Sequence, residues 1–416
     1  MCVRKLGCIL FLAFPLTLFA QEKVVFKDAF REKREAFKKQ LINYSIKENL
    51  AEPLNAGTED SWINAFEAML LANYSSPEID KKIASAFIHK NRSDAFRVSM
   101  ISLSYNLFPK KYLSQIKQIA AASKNPKVLG AAVAYLARFG TKADLEMIRK
   151  RIYQLPKDAI TGQYFASVIA EIDKVIKPQS LPSLQAITAP DFLPKNVVVY
   201  SFQRRNRNYP GIVLVRDTNG LFVRNADTIF YTGQLTRSLS NMPSFLSMGN
   251  TPQGLFRMDG FGISKSFFIG PTPNLQLTMP FEFKANHFFK DSLLNDSLWI
   301  EARYKNLFPP SWRNYQPIME SWFAGTLGRS EIIAHGTTVD PEFYIGEPFY
   351  PYTPTAGCLA TEEWWDDKTG ERKKSGQLLL SQAVMKAGGP FGYLIVIELD
   401  NNQAPVSINE ILRFIK

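Results

Sequence analysis

Ile332-Ile333-Ala334-His335-Gly336 and, further on, Pro354-Thr355-Ala356-Gly357-Cys358-Leu359 are the stretches on which the reading of this chain turns. The first reads as a β-strand that ends in His-Gly, the second as a tight turn that enters another strand. Gly357 permits close backbone approach just before the thiol, and Thr355 offers a hydroxyl two residues earlier. Eighteen residues, 337–354, lie between the two pieces, long enough for the chain to fold back and bring His335 to Cys358. A thiol needs a base or a positive charge beside it to react near neutral pH, and a histidine at a strand end meets that need. Spacing alone leaves the other possibility open, that His335 is a satisfied structural histidine.

Cysteine usage sharpens the point. The chain has three: Cys2, Cys8 and Cys358. Residues 1–20 read as a secretory signal, with Arg4 and Lys5 as the basic start, Leu6 to Phe19 as a short apolar run broken by Pro15, and Ala20 as the small residue before cleavage. Export would remove the first two cysteines and leave Cys358 without a disulfide partner, an odd thing to keep outside the cytoplasm unless the thiol reacts. The +12 formal charge falls to +10 without Arg4 and Lys5, which favours an anionic partner such as a cell-wall polymer. No Lys/Arg run resembles a nucleic-acid stripe, so nucleic acid is not expected. His89, His287 and His335 have no neighbours at metal-ligand spacing, and neither a metal nor a cofactor is expected. No further stretch is long and apolar enough to span a bilayer once the signal is cleaved.

The rest of the chain reads as an α+β multidomain protein. Residues 21–173 form a helical domain, 174–196 a Pro-rich linker, and 197–416 a mostly-β catalytic domain. Phe26 to Lys47 reads as a charged helix. Beyond it, units beginning near Trp62, Phe96 and Leu129 repeat with a period of about 33 residues, as stacked HEAT-like α-hairpins do. Ser76-Pro77, Asn125-Pro126 and Thr141 with Asp144 are helix-start signals. Such a domain is expected to dock a protein partner. The second half has strand-like runs at Val197 to Tyr200, Gly211 to Val215, Leu221 to Val223, Leu275 to Leu277, Glu331 to Ala334 and Tyr393 to Leu399, and a short helix after Ser407. Residues 288–328, rich in aromatics including Trp299, Trp312 and Trp322, read as a partly helical insertion and are expected to cap the cleft that holds Cys358.

His335-Gly336 followed by Thr355-Ala356-Gly357-Cys358-Leu359 resembles the catalytic motif of the YkuD-type L,D-transpeptidases. That family also carries a Thr-Pro-x-Gly-x-Phe turn upstream, matched here by Thr251-Pro252-Gln253-Gly254-Leu255-Phe256. The resemblance covers roughly residues 195–400. It departs from the family at Ala360, where an Arg or Asn is usual, in a slightly long His-to-Cys loop, and in the extra length between Phe256 and His335. The resemblance implies acyl transfer on peptidoglycan stem peptides. Cys358 would attack the carbonyl of the third stem residue and release D-Ala. His335 would take the thiol proton and later activate the acceptor amine, and backbone N–H groups around Gly357 and Cys358 would serve as the oxyanion donors, with Thr355 and Gly336 lining the site. The expected location is the periplasm or cell envelope.

Two other readings use the same residues differently. Water in place of the amine gives an L,D-carboxypeptidase, and sequence does not separate the two. A non-catalytic wall-binding scaffold has no need of an accessible thiol beside a histidine, though Ala360 leans toward it.

Overall fold

The computed structural model describes residues 23–88, 91–290 and 298–415. The expected signal segment, His89 and part of the insertion (291–297) lie outside the described residues. Two halves of different character share extensive contacts.

The N-terminal half is helical. Helix Arg31–Gln40 runs on into a wider-wound π segment, Leu41–Glu48. Four longer helices, Glu59–Ala72, Asp94–Leu107, Pro126–Phe139 and Ala159–Ile176, pack side by side in series, and shorter helices Pro77–Ala86, Leu113–Ala122 and Lys142–Gln154 alternate with them along the chain. The start signals act as the residues dictate: Ser76 and Asn125 side chains accept the first free backbone N–H groups, and Thr141 with Asp144 forms a reciprocal capping box. Trp62, Phe66, Phe96, Leu129, Val133, Phe165 and Val168 bury the shared core.

That core is completed from the other half of the chain. Met242, Phe245 and Leu246, and Val339, Phe343, Tyr344 and Phe349, belong to the same buried cluster as the helices. The helical face expected to be free for docking is therefore partly covered by the protein itself. Gly130 shows how tightly: a Cβ there would stand 2.7 Å from the Phe245 ring, so a mid-helix glycine, costly in itself, makes room for that side chain. The Tyr344 hydroxyl donates to the Leu71 carbonyl (2.9 Å), and Asn73 donates to Glu347 (3.2 Å).

The second half is built on β1 (Val197–Gln203), β2 (Gly211–Arg216), β5 (Thr232–Gln234), β6 (Gly254–Gly262), β7 (Asn274–Thr278), β8 (Ile333–His335), β9 (Leu359–Ala360) and β12 (Phe391–Glu398). Small hairpins β3–β4 (Arg224–Asn225, Thr228–Ile229) and β10–β11 (Glu363–Trp365, Arg372–Ser375) lie apart from them. The large sheet runs β5-β2-β1-β12-β6-β7-β8-β9, with β1–β12 and β8–β9 parallel and its other pairs antiparallel. Its ends meet: Leu235, just past β5, exchanges backbone hydrogen bonds with Ala360 of β9 (2.7 and 2.8 Å), closing the sheet toward a barrel and tying off both edges. Leu221 to Val223 forms no strand; Phe222 makes a single bridge to Arg216.

β1 is buried along its whole length: its apolar start, Val197 to Tyr200, reads as strand, and the buried polar Ser201 and Gln203 are satisfied by hydrogen bonds to each other and to Gln234. Val197, Val199, Leu394 and Val396 face one cluster, covered by helix Gly376–Lys386 through Leu380, Ala383 and Val384. Val198, Tyr200, Phe202, Ile395 and Ile397 face another. The insertion covers that second face. Trp312 is fully buried, Trp322 nearly so, and Trp299 stacks on Phe281. The expected cap is thus corrected for the tryptophans: a sheet apolar on both faces needs a second layer, and they supply it. Residues 184–193 dock on the same face through Leu184, Ile187 and Phe192, and Thr188 donates to the Phe414 carbonyl (2.6 Å), so the expected linker is largely part of this layer. No helix among the described residues is long and apolar enough to cross a membrane.

Candidate active site

The parallel pairing of β8 with β9 sets Ala334 opposite Leu359 and His335 opposite Ala360. One step back in that register, Cys358 lies opposite Ile333, so the thiol enters β9 two register positions before the place where His335 ends β8. The thiol donates to the Glu331 carbonyl (3.7 Å) and faces the Ile333 N–H. Cys358 is partly exposed, whereas His335 is buried.

His335 Nδ1 pairs with the carbonyl oxygen of its own neighbour, Gly336. A carbonyl accepts only, so Nδ1 carries the proton and Nε2 is left with its lone pair, the form a general base requires. Burial holds the imidazole neutral, with its pKa down at about 4, and the Gly336 carbonyl opposes that only in part. Gly336 is packed against Glu363: any Cβ there would collide with the carboxyl group. Glu363 accepts the Thr337 N–H (3.0 Å) and the Ser375 hydroxyl, and burial pushes its pKa up to about 7. The peptide that orients His335 is thus held from behind by a buried carboxyl.

The cysteine loop is shaped by Thr355, whose hydroxyl accepts the Gly357 N–H (3.0 Å) and donates to the Cys358 carbonyl (2.9 Å). This corrects one expectation: the Gly357 N–H is already engaged, which leaves the Cys358 N–H as the natural oxyanion donor of the pair. Gly357 itself has φ +118°, a conformation that favours glycine. Thr251, from the upstream Thr-Pro turn, donates its hydroxyl to the Gly357 carbonyl (2.9 Å). The three stretches that carry the family resemblance therefore meet in space.

Arg329 is the residue the sequence reading missed. Its guanidinium donates to the carbonyls of Leu246 (2.8 Å), Gly249 (2.8 Å) and Ala356 (3.2 Å), and it has no carboxylate partner among the described residues. Burial lowers its pKa and the nearby Cys358 thiolate would raise it. The thiol was expected to be acidified by His335. Instead burial raises its pKa, the Ile333 N–H and Arg329 pull the other way, and Glu331 adds to the rise. A neutral, buried imidazole has no charge with which to stabilise a thiolate; Arg329 has. Nothing in the sequence spacing pointed to position 329. Glu363 had no spacing signal either.

No group of side chains suited to hold a metal ion occurs among the described residues. Comparisons with known protein families, with characterised proteins and with solved structures found no match to this chain.

Proposed function

We propose that the protein is an exported L,D-transpeptidase of the periplasm or cell envelope, with a YkuD-like catalytic domain carried on HEAT-like helical hairpins. One observation carries the reading: three separated sequence motifs converge, with Thr251 bonded to Gly357, and His335 and Cys358 on adjoining parallel strands. Thiol and imidazole rest neutral. As the stem-peptide carbonyl arrives, the thiol proton passes to His335 Nε2 while the Sγ–C bond forms, so no free thiolate needs to accumulate. The Cys358 N–H receives the developing oxyanion, a contact worth about 3 kcal/mol in acyl-transfer enzymes. Arg329 lowers the cost of negative charge on sulfur and oxygen alike. Collapse breaks the C–N bond to D-Ala, whose amine takes the proton held by His335. An acceptor amine then attacks the thioester, with His335 again as base, and collapse breaks the C–S bond as His335 returns the proton to the Cys358 sulfur.

Incubating the mature protein with tetrapeptide muropeptides and weighing the products tests this. Cross-linked dimers that disappear in Cys358→Ser are expected. Tripeptides without dimers would point to an L,D-carboxypeptidase, and unchanged muropeptides to a wall-binding scaffold.

A further inference from the structure

Gly336 and Thr337 share one peptide unit, and both ends of it are in use. Its carbonyl accepts the proton on His335 Nδ1, and its N–H donates to a carboxylate oxygen of Glu363 (3.0 Å). Imidazole and carboxylate therefore sit at the two poles of a single amide. Negative charge at the N–H pole pushes electron density toward the carbonyl oxygen and strengthens the bond that oxygen accepts, because hydrogen bonds in a chain polarise one another. The contact is close: a Cβ on Gly336 would collide with the carboxyl group, so glycine is needed there for the carboxyl to reach the peptide. β10 grips the next carbonyl as well. Trp365 Nε1–H donates to the Thr337 carbonyl (2.9 Å), so Glu363 and Trp365, two apart in the strand, hold the N–H and C=O of Thr337 between them.

The carboxyl is buried and can change charge. Burial raises the Glu363 pKa to about 7, and the Ser375 and Thr272 hydroxyls, Arg372 and the Thr337 N–H limit the rise. Arg372 acts on it from β11 and is itself tethered to the Thr272 hydroxyl (2.9 Å). From β8 the neighbouring ionisable group is His335. Asp340, further along the loop, is paired with Arg34 (3.4 Å), and Glu362 with Lys374 (2.8 Å) on the same hairpin. Neither reacting group titrates near neutrality: burial holds His335 at about 4 and lifts Cys358 above its ordinary value. A change of charge at neutral pH in this part of the site has Glu363 as its source.

We propose that Glu363 is a positioning residue for His335: its ionised carboxylate, acting through the Gly336–Thr337 peptide, holds the imidazole in its Nδ1–H tautomer and makes Nε2 the stronger base. The inference rests on the transpeptidase reading for the reaction it serves, and on the shared peptide for the link itself. Glu363 takes no proton in that reaction. The proton passes from Cys358 Sγ to His335 Nε2, and the positive charge that then appears on the ring is favoured by the carboxylate at the far pole of the amide. Protonating Glu363 leaves the chain of bonds in place and removes the charge, so acyl transfer follows its ionisation.

The test uses the mature full-length protein with isotope-labelled histidine, and reads the His335 ring nitrogens by NMR, assigned by their absence from His335→Gln. In wild type these signals are expected to report the Nδ1–H tautomer and to shift once as pH rises from roughly 5.5 to 8.5. Glu363→Gln should abolish that shift. With tetrapeptide as substrate, wild-type kcat should rise through the same range; in Glu363→Gln it should be flat there and about tenfold below the wild-type plateau, with KM unchanged. Trp365→Phe loosens the same peptide without removing the charge and should keep the rise. Wild-type ring signals that stay flat, a shift that survives in Glu363→Gln, a variant kcat equal to wild type on the plateau, or a rise lost in Trp365→Phe would each overturn the proposal. The first of these needs no variant, so the proposal can fail even where Glu363→Gln folds poorly. Wild type without Cys358-dependent turnover removes the enzyme and leaves the ring titration to decide the link.

Discussion

The Arg329 guanidinium occupies the space that a side chain at position 357 would need: a Cβ built on Gly357 collides with Nη2. Glycine is thus required twice at that position, by φ +118° and by the arginine. If Arg329 supplies the charge that favours the thiolate, Arg329→Gln raises the pH at which Cys358 becomes alkylated and cuts acyl transfer, and Arg329→Lys restores the titration more than the turnover. A lysine keeps the charge and loses the fork that grips three carbonyls. An alkylation profile unmoved in Arg329→Gln would leave Arg329 a purely structural role.

His335 and Glu363 should push stability in opposite directions with pH. Burial puts the folded His335 at about 4 against 6.5 when exposed, so the unfolded chain binds more protons between those values and stability falls as pH drops from 6.5 toward 4. Glu363 sits at about 7 against 4.5, so its contribution is complete below 4.5 and is lost as pH rises toward 7. Each effect is of order 3 kcal/mol, and where the ranges overlap they offset one another. Urea unfolding from pH 4 to 7.5 separates them. Stability should fall with rising pH in His335→Gln relative to wild type, and rise with it in Glu363→Gln. Slopes of the same sign in the two variants would contradict the assignment.

Lys174 is a largely buried ionic link between the halves, reaching Glu171 on its own helix and Glu320 in the insertion. Glu320 is fixed further by the Gln253 backbone N–H (3.0 Å) next to the Thr-Pro turn. Burial works against the lysine's charge, but the carboxylates around it prevail and raise its pKa. Lys174→Met strands two carboxylates in a site with little solvent, and is expected to cost about 3–5 kcal/mol in chemical denaturation. Adding Glu320→Gln should recover part of that loss; a double variant no better than the single would refute the link.

Gly130→Ala reverses the usual rule for helices. An exposed mid-helix glycine gains about 1 kcal/mol on change to alanine. Here the added methyl meets the Phe245 ring, and a loss of about 1–3 kcal/mol is expected instead. Phe245→Leu in the same chain should turn the alanine back into a gain, which thermal melts of the four combinations would show.

What was legible in the sequence was local or carried by motif. Ser76-Pro77, Asn125-Pro126 and Thr141-Asp144 announce helix starts because caps act within three or four residues. The start of β1 is legible because Val197 to Tyr200, buried on both faces, is an unbroken apolar run. Elsewhere the deciding partner is distant. Aromatic residues in an insertion look alike whether they form a lid or a second layer, and Trp312 gives no sign of the sheet face it covers. The sheet's two ends are joined by backbone bonds at Leu235–Ala360 and around Thr355, which leave no side-chain pattern. Arg329 acts through carbonyls of three separate segments, a role with no spacing to read.

The loop between His335 and Cys358 also has a consequence in time. Tyr344 docks on Leu71, 273 positions earlier, and residues 339–349 help to complete the core of the helix stack. The first half of the chain therefore emerges from synthesis with part of its apolar surface still waiting for a segment made near the end. Contacts of such long range close slowly, because loop entropy must be overcome before they return any stability. A chain of this design folds late and almost all at once, and needs protection from aggregation until its last quarter has arrived.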